Sequence, residues 1–274
     1  LSGFHTNFHQ YFEHYHLAFL KGWVFKYLRA FHNATNRTLV PTDWLQNDLV
    51  RQGFKNIHIM ARGVDSSLFS PHKRSQQLRQ SWGANEHTPV MLYVGRIASE
   101  KNIQLALRSF DIFKRAQPNS KMVIVGDGPI RKALAEAHPN VVFAGEQRGN
   151  SLARHYASAD LFVFPSLTDT YGNVVLEAMA SGLHVLAFDY AAARNLIQNG
   201  ENGSIVEYKN EQAYLDEVNI IGLSPKISNR LRQQARLRSE TVSWPKITEN
   251  FIQQLQTIKE EQSYVTKQKP VFIP

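Results

Sequence analysis

The chain has 274 residues, 43% hydrophobic and 20% charged, which supplies one large core or two ordinary ones and excludes a disordered chain. Cysteine is absent, which excludes disulfides and thiolate metal sites and fits a reducing compartment. The net charge of +8 suits an anionic partner, and no apolar run reaches the roughly 18 residues that a membrane span needs.

The chain opens Leu1-Ser2-Gly3, with neither a Met nor a signal pattern, and reads as truncated at its N-terminus. Residues 4–32, crowded with aromatics and histidines, read as a loop and then a helix, with Gly22 as the joint. A strand over Arg37-Val40, a helix over Thr42-Arg51 opened by Thr42 or Asp43, and a strand over Ile57-Met60 follow. The stretch 1–72 thus supplies two short strands at most. It carries seven Lys/Arg against four Asp/Glu and seven of the eleven histidines. Gly63 to Lys73, with Pro71, reads as a linker.

The middle of the chain alternates strand and helix. Strands are predicted at Val90-Val94, Met122-Val125, Val141-Phe143, Leu161-Phe164, His184-Phe188 and Ser204-Val206. Helices are predicted at Asn102-Ala116, Ile130-Ala137, Ser151-Ala157, Asn173-Ala180 and Ala191-Gln198. Short, fully apolar strands separated by helices imply an α/β, doubly wound, Rossmann-like parallel sheet covered on both faces, with ligands at the carboxyl ends of the strands. Lys226 to Arg238 holds five basic residues and no acid, which fits either an anion-binding surface or the solvated face of one amphipathic helix. Trp244-Gln262 reads as a long helix before a polar tail. The organisation expected is 1–72 as part of one domain with its linker, 73–243 as the doubly wound domain, and 244–274 as a helix that crosses back, with its tail.

Three loops after strands hold more polar residues than turns need. In the first, Gly95 lets the chain turn off the strand, Arg96 leaves its end, and Lys101 falls in the first turn of the next helix. Cations are disfavoured at a helix start unless an anion sits there too, so the pair suggests a diphosphate. A surface Arg96 with Lys101 paired to Glu100 is the alternative. The second loop, Gly126-Asp127-Gly128-Pro129, allows close backbone approach to a ligand, or is a plain turn into a helix opened by Pro129. The third runs from Pro165 to Gly182. Asp169 lies in its loop, free N–H groups are expected over Tyr171, Gly172 and Asn173, and Glu177 lies one turn into the helix. Two acids eight residues apart can hold two sets of hydroxyls on one ligand, although Glu177 alone reads equally as a helix-face acid.

The strings from Tyr93 to Lys101, Val125 to Pro129, Tyr156 to Asp160, Pro165-Ser166 and the acid pair Asp169/Glu177 together resemble the family-four retaining glycosyltransferases of the two-domain GT-B type. Phe4-His5-Thr6-Asn7-Phe8 resembles the segment that carries the active-site histidine in lipid-directed, GDP-mannose-dependent mannosyltransferases of that family, and Gly63-Val64-Asp65 its interdomain linker. The resemblance implies that the chain holds the donor domain and the tail of the acceptor domain. It implies donor binding by Gly95, Arg96, Lys101, Asp169, Tyr171, Gly172, Asn173 and Glu177. Arg96 and Lys101 would hold the diphosphate, Glu177 the ribose and Asp169 the sugar, where the family usually carries Glu. His5, Arg96, Lys101 and Asp169 would be the catalytic set.

The implied reaction moves a sugar, mannose from GDP-mannose foremost, from a nucleoside diphosphate to a hydroxyl with retention of configuration. The leaving phosphate would take the acceptor proton, and His5 would hydrogen-bond the moving sugar. The donor, a GDP-sugar or UDP-sugar, is a substrate, and no cofactor or metal is implied, since the chain has no Asp-x-Asp. His5, His9 and Glu13 at i, i+4 and i+8 could mimic a metal site on one helix, and His5 could also be a plain structural histidine.

Implied partners are the donor and a lipid or glycan acceptor, with peripheral contact to anionic membrane from the aromatic and basic stretch Tyr15 to Phe31, or else burial of that stretch in the acceptor domain. The implied location is cytoplasmic, including the inner face of a membrane. Nucleic acid is not expected, because no recognised motif or stacking platform accompanies the basic residues. The alternative function is a non-catalytic nucleotide-sugar-binding half that needs a separate acceptor-binding chain.

Overall fold

The structure, a computed structural model, describes residues 1–4, 18–169 and 171–267. His5, His9 and Glu13 lie outside the described residues. The first elements are β1 (Ser2–Gly3), α1 (Ala18–Asn33), β2 (Thr38–Val40), α2 (Asp43–Arg51) and β3 (Ile57–Ile59). The three strands pair in parallel in the order β1-β2-β3. The expectation of two strands at most is therefore corrected to three, because a two-residue strand is too short to leave a periodic signal. Helix α1 runs unbroken through Gly22, so Gly22 is not a joint, and an interior glycine costs a helix only about 1 kcal/mol. Thr42 caps α2, its Oγ1 accepting from Leu45 N at 3.2 Å. Phe4, Val40, Leu45, Leu49, Phe54 and Ile57 form a small core around this sheet.

The remaining elements are α3 (Gln76–Ser81), β4 (Val90–Val94), α4 (Ile103–Ala116), β5 (Lys121–Val125), α5 (Arg131–Ala137), β6 (Val142–Gly145), α6 (Gly149–Ala157), β7 (Leu161–Phe164), α7 (Asn173–Ala180), β8 (His184–Phe188), α8 (Ala191–Leu196), β9 (Ser204–Val206), α9 (Glu211–Leu223), α10 (Pro225–Glu240) and α11 (Trp244–Lys267). The second sheet has the order β6-β5-β4-β7-β8-β9 with every pair parallel. This is the expected doubly wound sheet. Its chain winds outward from β4 to β6 and then returns beside β4 with β7, so the crevice of such a sheet lies past the carboxyl ends of β4 and β7. All residues of β4, β7 and β8 are buried, as central strands covered on both faces must be.

Helices α3 and α9 were not among the predicted elements. The signal for α9 is present: Asn210 Oδ1 accepts from Ala213 N at 3.0 Å, and Tyr214, Leu215, Val218 and Ile221 are buried at helical spacing. Helix α11 reaches back to the first sheet, where Gln254 Nε2 donates to Ile59 O at 3.1 Å. Trp44 of α2 packs edge-on against Tyr190 beside α8, their centroids 4.9 Å apart, and so joins the two sheets' cores. Among the described residues no helix is long and apolar enough to cross a membrane.

The basic run in α10 divides between two roles. Arg232 donates to Gly182 O and Asp160, and Arg236 donates to the carbonyls of Ser66, Phe69 and Ala180. Arg230 and Arg238 are exposed, though each reaches a backbone carbonyl. Part of the run is thus internal bracing, neither a solvated face nor an anion-binding surface. At the amino ends of β4 and β7, Arg74, Arg79 and Arg232 converge on Asp160 at 3.0, 3.3 and 3.3 Å. Asp160 also accepts from Val90 N at 2.9 Å. Arg79 is fully buried, and its other N–H groups go to the carbonyls of Asn85, Thr88 and Ser158. The network ties helix, strand and loop together at the end of the sheet away from the crevice.

Candidate active site

The first loop leaves β4 at Gly95, and Tyr93 Oη holds it from below by donating to Arg96 O at 3.2 Å. Lys101 is not in the helix that follows. It ends a 3₁₀ turn, Ser99–Lys101, and α4 starts only after Asn102, whose backbone is left-handed. The side-chain Nζ of Lys101 nevertheless points to the third loop, 2.9 Å from Asp169 Oδ1. Arg96 pairs with Glu100 at 3.3 Å and is half exposed. The alternative pairing of Lys101 with Glu100 is therefore not the one formed.

The glycines of the second loop let it fit closely against the first loop. A Cβ on Gly126 would overlap the carbonyl oxygen of Gly95, and one on Gly128 would overlap that of Ile97. Ile97 N donates to Asp127 O at 2.9 Å, which locks the two loops together. Pro129 precedes α5 by a turn instead of opening it.

Two tyrosines that the sequence reading passed over hold the third loop. Tyr214 Oη accepts from Phe164 N and donates to Leu186 O, fixing the end of β7. Tyr208 Oη donates to Leu167 O at 2.8 Å. From that anchored strand end the loop reaches Asp169. Gly172, at φ +87°, then turns the chain in the left-handed region that favours glycine and opens α7 at Asn173. The first N–H groups of α7 have no intrahelical acceptor, and the helix dipole favours negative charge there.

A cavity of about 280 Å³ results, lined by Gly95, Arg96, Lys101, Asp169, Gly172 and Asn173 among others. It sits at the carboxyl ends of β4 and β7, where the sheet topology puts the crevice. Asp169 presents its second oxygen, Oδ2, buried and without a hydrogen-bond partner among the described residues. Asp169 thus lines the cavity while one of its carboxylate oxygens is an acceptor still to be satisfied. An adjoining cavity of about 360 Å³ shares Gly95 and Arg96 and is otherwise lined by the second loop, Glu146 and Gln147. Seven of the eight predicted donor residues are thereby placed: Gly95, Arg96, Lys101, Asp169, Tyr171, Gly172 and Asn173 line the first cavity.

Glu177 does not line it. One turn into α7, its Oε2 accepts from Tyr156 Oη at 3.0 Å, and burial pushes its carboxyl above the ordinary carboxylate range. Burial, then the nearby Glu177 charge, pushes the Tyr156 phenol upward as well. Arg62, on the segment between the two sheets, also lines the first cavity and was missed by the sequence reading. Tyr171 Oη donates to its carbonyl at 3.1 Å. A further cavity of about 350 Å³ lies at the opposite end of the strands beside Arg74, Asp160 and Arg232, and holds none of the predicted residues.

Residues 74–238 match the family model "Glycosyl transferases group 1", and residues 1–68 match "Glycosyltransferase Family 4". The chain is 38% identical over 196 residues to a GDP-mannose-dependent alpha-mannosyltransferase of Corynebacterium glutamicum, covering 71% of this chain and 46% of that protein. It is 31% identical over 252 residues to the Mycolicibacterium smegmatis protein of the same description, covering 91% and 64%. It therefore spans about half to two thirds of the length of these relatives. Among solved structures, Anabaena HepE in complex with UDP superposes with a TM-score of 0.74 at 20% identity, over 85% of this chain and 67% of that one. The family model covers the second sheet with its loops and most of its helices, and the chain belongs to the group 1 glycosyl transferases.

Proposed function

We propose that the chain carries the donor site of a retaining glycosyltransferase that moves mannose from GDP-mannose to a hydroxyl of a lipid or glycan. The observation that carries this reading is the convergence, at one strand-end cavity, of Arg96, Lys101, the α7 N-terminus and Asp169, whose Oδ2 has no hydrogen-bond partner among the described residues. Cations and helix N–H groups suit a diphosphate, and an unpartnered carboxylate oxygen suits a sugar hydroxyl. The mannose assignment draws on relatives described as GDP-mannose-dependent alpha-mannosyltransferases.

In the proposed reaction the bond from the anomeric carbon to the β-phosphate oxygen breaks, and a bond to the acceptor oxygen forms on the same face. The acceptor proton passes to the departing phosphate. Negative charge grows on that phosphate, so preorganised donors beside it lower the barrier. Arg96 and Lys101 are the side chains placed to supply them without a metal. By its resemblance to the family, Glu177, which lines neither cavity, would hold the ribose hydroxyls, and His5 the moving sugar. The adjoining cavity has room for the nucleoside.

The test is a melting-temperature titration with GDP-mannose, UDP-glucose and ADP-glucose, followed by transfer of radiolabelled sugar to lipid and simple glycoside acceptors. GDP-mannose should raise the midpoint, since a ligand that binds only the folded state stabilises it. Stabilisation by UDP-glucose alone would overturn the mannose assignment. No response to any of the three at millimolar concentration would overturn the donor site itself.

A further inference from the structure

We propose that Arg62, carried on the segment between the two sheets, is a third ligand of the donor diphosphate, and that Tyr171 is its positioning residue. The inference rests on the donor-site reading above and extends it to a residue outside the three strand-end loops.

The first reason is charge. Lys101 is already paired with Asp169 at 2.9 Å and Arg96 with Glu100 at 3.3 Å. Within the two loops these charges cancel, which is a poor field for a dianion. Arg62 lines the same cavity, and among the described residues no carboxylate pairs with its guanidinium. With Arg62 the described residues of these contacts hold three cations against two carboxylates. Guanidinium is also the group whose planar fork fits two phosphate oxygens at once.

The second reason is position. Tyr171 is 5% exposed, and its Oη donates to Arg62 O at 3.1 Å. Tyr171 directly precedes Gly172 and the start of α7, so one hydrogen bond fastens the Arg62 backbone to the loop that offers N–H groups to the phosphate. Burial pushes the Tyr171 phenol up to about 12, against smaller downward effects of its hydrogen bond to Arg62 and of the nearby Arg62 and Arg238 charges. The phenol therefore stays protonated, and able to donate, throughout the neutral range.

The experiment is calorimetric titration of the chain with guanosine, GMP and GDP, repeated in the uridine series. Arg62→Gln should weaken GDP binding by roughly tenfold to hundredfold, the range for losing one charge-assisted hydrogen-bonding group. It should leave guanosine unchanged, and Arg62→Lys should recover part of the loss. Tyr171→Phe should weaken GDP binding by a smaller factor, and adding it to Arg62→Gln should cost nothing more, because the two act through one contact. Unchanged GDP affinity in Arg62→Gln, with wild-type binding intact, overturns the inference and leaves the donor site standing. Equal loss of guanosine and GDP assigns Arg62 to folding and also overturns it. Failure of every diphosphate to bind the wild type overturns the donor reading and this inference with it.

Discussion

Lys101 Nζ lies 2.9 Å from Asp169 Oδ1, so the first and third loops, 68 residues apart, close on each other through a largely buried ion pair. The two residues were assigned separate tasks, diphosphate and sugar, yet in the structure each is the other's counter-ion. On the proposed reading, a donor would meet a cation whose charge is already balanced and a carboxylate with one oxygen lacking a hydrogen-bond partner among the described residues.

Lys101→Ala is expected to slow transfer roughly 100- to 1,000-fold, the usual scale for one preorganised charge stabiliser. Asp169→Ala is expected to cost a similar factor. The double variant should be little worse than the poorer single one, because residues in direct contact are not additive. The measurement is kcat/KM for the four proteins of the cycle. Strictly multiplicative losses would show that the pair acts as two independent groups.

Glu177 gives a pH signature with two opposite signs. Burial raises its pKa in the fold, so the folded chain keeps a proton at a pH where the unfolded chain has released it. Above the folded pKa the ionised carboxylate costs stability, and that cost is relieved as the pH falls through the folded value toward the ordinary carboxylate range. The melting temperature of the wild type should therefore rise relative to Glu177→Gln on acidification from neutral pH. GDP affinity should move the other way, falling with pH in the wild type and staying flat in Glu177→Gln, because the ionised carboxylate is the better acceptor for ribose hydroxyls. Paired melting and titration curves across that range check both signs. Parallel curves for the two proteins would remove Glu177 from ligand binding.

The central sheet was legible because β4, β7 and β8 are uninterrupted apolar runs, and only burial on both faces explains such runs. The three loops were legible because glycine and charge follow those runs directly. Contacts between distant polar groups were not. Nothing local marks Tyr208 or Tyr214 as a holder of the third loop, since each is an aromatic in or beside a helix until the fold brings it to Leu167 or Phe164. Arg62, between the predicted strand and the predicted linker, carries no local mark until Tyr171 meets its carbonyl. Gly126 and Gly128 were recognised as points of close approach, but their partner is another loop, and a loop–loop distance has no trace in one sequence.

Asp160→Asn isolates the bracing network from the site. The substitution keeps the shape and an acceptor, but leaves Arg74, Arg79 and Arg232 without their shared counter-charge. Breaking one side of a buried ion pair costs about 3–5 kcal/mol, and the partial exposure of Arg74 and Arg232 puts the expected loss at about 3 kcal/mol. Urea denaturation gives the value. GDP affinity should be unchanged well below the unfolding midpoint, because the network lies at the amino ends of the strands. A loss under about 1 kcal/mol would mean that the backbone carbonyls around the guanidinium groups are sufficient without the carboxylate.

Gly126→Ala tests whether the second loop acts by shaping the first. Gly126 has φ +138°, and an added Cβ would overlap the Gly95 carbonyl oxygen, a backbone atom that cannot swing aside. Relief requires moving Gly95 and with it Arg96, the residue that leaves the end of β4 and is proposed to hold the diphosphate. Gly149→Ala is the matched control. It too is left-handed, at φ +52°, but its Cβ would meet nothing within 4 Å, and it begins α6 and lines neither cavity. Both variants should lose about 1–2 kcal/mol of stability from the backbone conformation alone. Only Gly126→Ala should also lose GDP affinity, by roughly tenfold or more if displacement of Arg96 forfeits one charge-assisted contact. Calorimetric titration of both variants, with urea melts to match their stabilities, separates the two effects. Equal affinities in Gly126→Ala and Gly149→Ala would mean that Arg96 finds the phosphate from either backbone position, and that the fit between the two loops matters to folding alone.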